Sequence, residues 1–499
     1  MGLHESVKKE LRTRAPFKNA FKEFDSLIDA RDASQATREQ TVACVDGNVV
    51  FRHIPRAINT FDSYLHIVHN NLKNAVATSA VTVVVFDEPE VTTEAKRQEQ
   101  AARDARSKSK NVACSVDVAA MMAVPTDDNY TKADLFKVRD FEALVRHRPS
   151  RMRFFDELAV RVMARLKDQI ERWNRSGYPG GHVVFDGVDA RGADRPPGEP
   201  RARGVMASSE ALAELFAREG DVGEGDLKLA IVGRRVRELA RGAAADSPFK
   251  SAKLTLCTTT DTDSFAIELI EEARRSAEPV TPANTLLCMR ERAKTAKRAR
   301  EDGQDVTGQG YYTVCDLAML HALLQRHMWG MHRSPTPVDQ RAAISLLAAG
   351  WGLARCDFVE LQPLQAKVVL DSIGEIVKMH TDVVGEMRHA WEGDRAAVER
   401  THAPIKMLMA ACASRLMSTP RIKKDRVPDV RHPDEVALKK IGWVMAYWNG
   451  VEYDNVAEFG FVAPPTEYPA AAVAVEVHDG GAGPGPGPGP SSTAVHSLG

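Results

Sequence analysis

Seven carboxylates in five separated stretches of this chain stand at intervals suited to metal-assisted catalysis. Asp46 follows the short, mostly apolar run 41–45 and opens D-x-N with Asn48. Asp87 closes the β-branched run 80–86 (AVTVVVF). Glu224 and Asp226 stand two apart in Gly-Glu-Gly-Asp, at the head of a helical segment. Asp261 and Asp263 stand two apart in Thr-Asp-Thr-Asp-Ser, after another strand-like run, and Asp357 in Cys-Asp-Phe follows the apolar helix 342–350. Each acid alone also serves as a cap or turn former, because Asp and Glu favour helix starts and strand ends. Gathered in a partly buried crevice they would repel one another strongly, and divalent cations would remove that cost. An all-oxygen donor set suits Mg²⁺ or Mn²⁺. Two such ions would activate a water and steady both oxygens of a phosphodiester in displacement.

The elements that must position these acids are legible as short runs. Residues 41–45, 80–86, 182–185 and 253–260 are apolar or β-branched, and each leads into an acid. Strands buried on both faces of a parallel sheet read this way. Helical segments such as 156–174 and 226–241 lie between them, and the opening stretch 5–28 is periodic enough for one or two helices. The alternation implies an α/β fold with a mostly parallel central sheet flanked by helices, and ligands bind outside the carboxyl ends of such strands. Residues 1–375 are expected as the catalytic-type domain, with a helical basic insertion at 88–150 and a flexible loop region at 187–222. A helical C-terminal region at 376–463 and a disordered, Gly/Pro-rich tail at 464–499 are expected to follow.

Composition excludes more than it identifies. With 67 Lys and Arg against 68 Asp and Glu, net charge names no partner. No apolar run approaches the roughly 18–20 residues of a bilayer span, so no membrane partner is expected. The start MGLHESVKKELRTR lacks the apolar centre of a secretory signal, and seven dispersed cysteines without CxxC spacing read as reduced thiols. The expectation is an intracellular protein of the nucleus or cytoplasm.

The order of these motifs resembles the 5′ nuclease superfamily, which contains flap endonucleases and 5′-to-3′ exoribonucleases. It runs MGL-helix, D-x-N, VFD, basic helix, GEGD-x-K, D-x-D and CDF, and covers roughly residues 1–375. GEGDLKL is the most specific element, because Gly-Glu-Gly-acid-x-Lys is similar to the exoribonuclease version. The resemblance implies a PIN-like fold and two Mg²⁺ or Mn²⁺ ions. It makes Asp46, Asp87, Glu224, Asp226, Asp261, Asp263 and Asp357 the metal-binding, catalytic carboxylates. It also implies a nucleic-acid partner, RNA or DNA with a 5′ end. Long gaps from Asp226 to Asp261 and from Asp263 to Asp357 favour the exoribonuclease-like branch, and QPLQAKVVLDSIGEIV stands where a duplex-binding hairpin would be expected. A competing assignment stays open: Val184-Phe-Asp-Gly187 also looks like the family's VFDG, which would make Asp186 the ligand in place of Asp87. Asp87 is preferred because a basic segment follows it.

In that segment, 92–110, Lys96, Gln100 and Arg103 fall at i, i+4 and i+7 on one helical face. Such a face can grip a phosphate, Arg with a bidentate fork and Lys with a point charge. The spacing is similar to the exoribonuclease pocket for a 5′ monophosphate; a solvated, salt-bridged helix is the other reading. The run 290–300 and the patch Arg146, Arg148, Arg151 and Arg153 would add backbone contacts, and 290–300 also fits a nuclear-import signal or an exposed helix. His53 fits either a base-stacking residue or a buried, hydrogen-bonded histidine, and the Met-rich stretch 405–417 reads as core. MGLHES fits a myristoylation pattern, although the nuclease resemblance explains MGL independently. The alternative to an enzyme is a catalytically inactive relative that keeps the fold as a nucleic-acid-binding or structural component.

Overall fold

In the computed structural model, the strand-like runs become the middle of one eight-stranded sheet. The described residues are 5–52, 61–88, 95, 148–192, 195, 199, 201–202, 204–216, 225–242, 247–260, 262–275, 284–291, 311–330, 335–355, 365–393, 395–418 and 435–451. The strands are β1 (Phe21–Phe24), β2 (Thr41–Asp46), β3 (Val81–Val85), β4 (His182–Asp186), β5 (Val205–Ala207), β6 (Leu254–Thr259), β7 (Asn284–Arg290) and β8 (Tyr312–Asp316). Their order across the sheet is β1-β8-β7-β6-β2-β3-β4-β5. The five central strands, β7-β6-β2-β3-β4, run parallel, while β5 and β8 pair antiparallel to their inner neighbours.

All residues of β2, β3 and β6 are buried, because helices cover both faces of the sheet. Val42 and Cys44 of β2 join one core, together with helices Gly225–Gly242, Asp263–Arg275 and Pro337–Arg355. Ala43 and Val45 join the other, with helices Leu27–Ala33, Phe61–Thr78 and Arg148–Arg175. Period-two alternation thus distributes one strand between two cores, which is the burial that continuous apolar strands predict. The helices after Thr381 pack on Pro337–Arg355 and Ala366–Met379, within the unit Met1–Val462. A second unit, Ala463–Gly499, lies outside the described residues, as does the tail expected at 464–499.

In three regions the fold differs from what the sequence leads one to expect. The stretch 5–28 is not wholly helical: after helix Glu5–Thr13 and a short 3₁₀ turn, Phe21–Phe24 pairs with β8 as an edge strand. Part of 187–222, expected as a flexible loop, is regular, forming β5 and helix Glu210–Phe216. The loop before β5 is tied down as well. Arg201 grips the buried Asp156 at 2.6 Å and the Gly187 carbonyl at 2.5 Å, and Arg191 holds the buried Asp189 at 2.8 Å. Burial would raise the Asp189 carboxyl, but the Arg191 guanidinium and the Arg191 and Ala202 amides outweigh it and hold it down to about 2. Third, Arg290, read as the start of a basic helix, closes β7; residues 292–300 lie outside the described residues. Within the Met-rich stretch, Met409 is buried, and Met417 is exposed at the helix end. Among the described residues, no helix is long and apolar enough to cross a membrane.

The connection leaving β2 runs to β3 on one side, and that leaving β6 runs to β7 on the other. A topological switch therefore falls between β2 and β6, and in open α/β sheets it is at the carboxyl ends of such strands that a ligand crevice forms.

Candidate metal centre

Asp46 ends β2 at the edge of that crevice, 6% exposed. Its Oδ1 accepts from the Asn48 amide at 2.9 Å and the Val49 amide at 3.3 Å, so it caps the short helix Gly47–Arg52 while facing the switch point. Capping and site roles coincide in one side chain. The helix can start there because position 47 is glycine: a Cβ would stand 2.5 Å from the Phe86 ring. That ring packs edge-on against Phe51 and Phe185, at centroid distances of 4.8 and 5.9 Å.

Asp87 follows the end of the neighbouring strand β3. Its Oδ1 accepts from the Gly225 amide at 2.9 Å, and its Oδ2 lies 3.7 Å from the half-exposed Arg52 guanidinium. Gly225 is the floor on which the strand ends converge. A Cβ there would meet Asp87 Oδ1 at 3.0 Å, Asn48 Nδ2 at 3.4 Å and Asp46 Oδ1 at 3.9 Å. Asp226, next along the same helix, accepts from Ser264 Oγ; Ser264 and the buried Asp263 head helix Asp263–Arg275 beyond β6.

Of the seven acids singled out in the sequence, Asp46 and Asp87 approach Gly225, Asp226 follows Gly225 on the same helix, and Asp263 neighbours the Ser264 that bonds Asp226. Glu224, Asp261 and Asp357 lie outside the described residues, as do Lys96, Gln100 and Arg103 and His53. Glu224 is covalently adjacent to Gly225, and Asp261 to Thr262. Among the described residues, no group of three or more His, Cys, Asp or Glu is disposed to hold a metal ion. The donors that do converge are carboxylates and an amide, with neither imidazole nor thiolate, and that chemistry fits a hard cation such as Mg²⁺ or Mn²⁺.

Asp186 ends β4, with its carbonyl accepting from the Phe86 amide at 2.9 Å. It stands two strands from Asp46, roughly 10 Å across the sheet at the usual strand spacing. Asp87 is the nearer, on the adjacent strand and bonded to the Gly225 helix.

Behind the crevice the sheet is lined with buried thiols. Cys44 of β2 is the register partner of Cys257 of β6, and Cys44 together with burial pushes the Cys257 thiol up. Burial also pushes the Glu268 carboxyl, one and a half turns below Asp263, up to about 7, although Arg237 opposes the shift. Glu271 goes the other way. Burial would raise it, but Arg234, Arg274 and Arg237 outweigh that and hold it low; Arg237 reaches it at 2.5 Å.

Sequence reasoning did not assign roles to Arg52, Glu88, Lys228 or Ser264. Lys228 and Asn48 carried a signal, as members of GEGDLK and D-x-N. Arg52 and Glu88 carried none, since their place beside Asp87 depends on tertiary approach. In comparisons with known proteins, no family model and no curated protein matches the chain.

Proposed function

We propose that the chain is a metal-dependent nuclease of the 5′ nuclease type, hydrolysing phosphodiester bonds of RNA or DNA near 5′ ends on a PIN-like fold. The observation that supports this reading is the approach of Asp46 and Asp87, from adjacent parallel strands, to the start of the Gly225 helix at the switch point, where Asp226 bonds Ser264 beside Asp263. Together with Glu224, Asp261 and Asp357 they would hold two Mg²⁺ or Mn²⁺ ions. When bound, such ions make water a stronger nucleophile at neutral pH and offset charge developing on the phosphate.

The chain's own residues hold and orient. Two backbone amides fix the Asp46 carboxylate, and the Gly225 amide fixes that of Asp87. Arg52, at the rim, presents a guanidinium fork suited to a backbone phosphate. Lys96, Gln100 and Arg103 belong to the same proposal as the grip on a 5′ phosphate, and nucleus or cytoplasm as the place of action. A catalytically inactive nucleic-acid-binding protein is the second reading. The pairing of Arg52 with Asp87 favours it, because an arginine there neutralises a carboxylate that a cation would otherwise neutralise.

Assays on 5′-phosphorylated RNA, flap DNA and 5′-hydroxyl controls, with Mg²⁺ or Mn²⁺ against EDTA, separate the two. The nuclease reading expects metal-dependent cleavage that Asp87→Asn or Asp226→Asn reduces by about 10²–10³-fold. Cleavage indifferent to both substitutions, or none from the native chain, contradicts it.

A further inference from the structure

Lys228 sits one turn into helix Gly225–Gly242, 1% exposed, and pairs there with the equally buried Glu88. Its ammonium also donates to the Phe86 carbonyl at 2.9 Å. Phe86 and Glu88 flank Asp87, so one cation holds both neighbours of that carboxylate. Three residues earlier on the same helix, the Gly225 amide holds the carboxylate itself. One helical turn therefore grips the exit of β3 at three consecutive residues. Close packing around the ammonium is built in: Gly187 has φ +90°, and a Cβ there would stand 2.6 Å from Lys228 Nζ and 3.0 Å from Glu88 Oε1.

A buried ion pair is a poor way to gain stability. Removing two charges from water offsets their attraction, and a well-packed apolar pair often holds a fold as well or better. What an ammonium supplies that a methionine cannot is three directed donors, here shared between a carboxylate and a carbonyl. Those contacts fix the path of residues 86–88 relative to the helix that carries Asp226.

We infer that Lys228 and Glu88 are positioning residues, which aim the Asp87 carboxylate at the cation site and set its distance from Asp46 and Asp226. This rests on the reading of the crevice as a cation site. Loss of comparable partners behind metal ligands typically weakens metal binding by about 10–100-fold.

The test is calorimetric titration of the full chain with Mn²⁺, beside thermal unfolding in EDTA, for the native protein and the double variant Lys228→Met/Glu88→Gln. The double variant removes both charges, so no lone charge is left buried. The expected result is Mn²⁺ affinity lowered by about 10–100-fold with a metal-free melting temperature unchanged or raised, a split that a purely structural role would not produce. Unchanged affinity in the folded double variant overturns the inference while leaving the cation site intact. A native chain that binds no Mn²⁺ overturns the cation site, and the inference with it. Should the double variant not fold, Glu88→Gln alone keeps the Phe86 contact and a neutral acceptor. Affinity lowered about tenfold then supports the inference, and unchanged affinity overturns it.

Discussion

Glu268→Gln should make the protein more stable at pH 8 and leave it nearly unchanged at pH 5. Glu268 is 2% exposed on helix Asp263–Arg275, and among the described residues its Oε1 has no hydrogen-bond partner. Burial raises its carboxyl from the ordinary 4.5 to about 7; Arg237 and the Cys257 thiol oppose this, and the neighbouring Glu271 and Glu272 reinforce it. The folded state therefore binds this proton more tightly than the unfolded chain does. The stability it contributes is fully present below about 4.5 and is lost as pH rises through about 7. At 1.36 kcal/mol per pH unit, the cost of the buried anion reaches about 3 kcal/mol above that range. A glutamine of the same shape does not ionise and escapes the cost. Glu271 has the opposite dependence, with stability present above its unfolded value and lost as pH falls, so the informative quantity is the difference between variant and native protein. Urea unfolding at pH 5, 6, 7 and 8 gives that difference. It should grow across the series in favour of the variant, towards about 3 kcal/mol. A constant difference, or a variant less stable at pH 8, would rule out a neutral, buried Glu268. It would mean that Glu268 is ionised in the fold and draws net stability from Arg237.

Two glycine substitutions separate folding from site geometry. Gly47→Ala places a methyl 2.5 Å from the Phe86 ring, and should cost about 1–3 kcal/mol in chemical denaturation, the range for overpacking a core. Gly225→Ala has a helical position to gain from, so its melting temperature should hold. Its methyl would stand 3.0 Å from Asp87 Oδ1, and Mn²⁺ affinity by calorimetry should fall roughly tenfold.

The strands that carry acids were legible because their runs are β-branched and short. VTVVV and HVVFD have no competing helical reading, and β2, β3, β4 and β6 fall within a residue or two of their expected bounds. β7 was not legible: Leu-Leu-Cys-Met suits a buried helix as well as a strand, and only pairing with β6 and β8 decides it. β1 and β5, at four and three residues, are too short to show a period and owe their form to an edge that pairs with them. For the site, spacing named Asp46, Asp87, Asp226 and Asp263; the approach of the first two to Gly225 comes from adjacent parallel strands, and the bond of Asp226 to Ser264 from neighbouring helix starts. Spacing could not rank Asp87 against Asp186, since both follow a Val-Phe. In the fold β3, and not β4, lies beside β2. Glu88 fell at the start of the helical insertion expected at 88–150, and nothing in its neighbourhood in sequence showed that Lys228, far along the chain, would be buried against it.

If carboxylates from distant segments share a cation site at the β2–β6 switch, anomalous diffraction from crystals grown with Mn²⁺ should locate it. Two peaks are expected roughly 4 Å apart, coordinated by oxygens among Asp46, Asp87, Asp226 and Asp263. Crystals whose crevice shows no manganese, with Arg52 still paired to Asp87, would contradict a shared site.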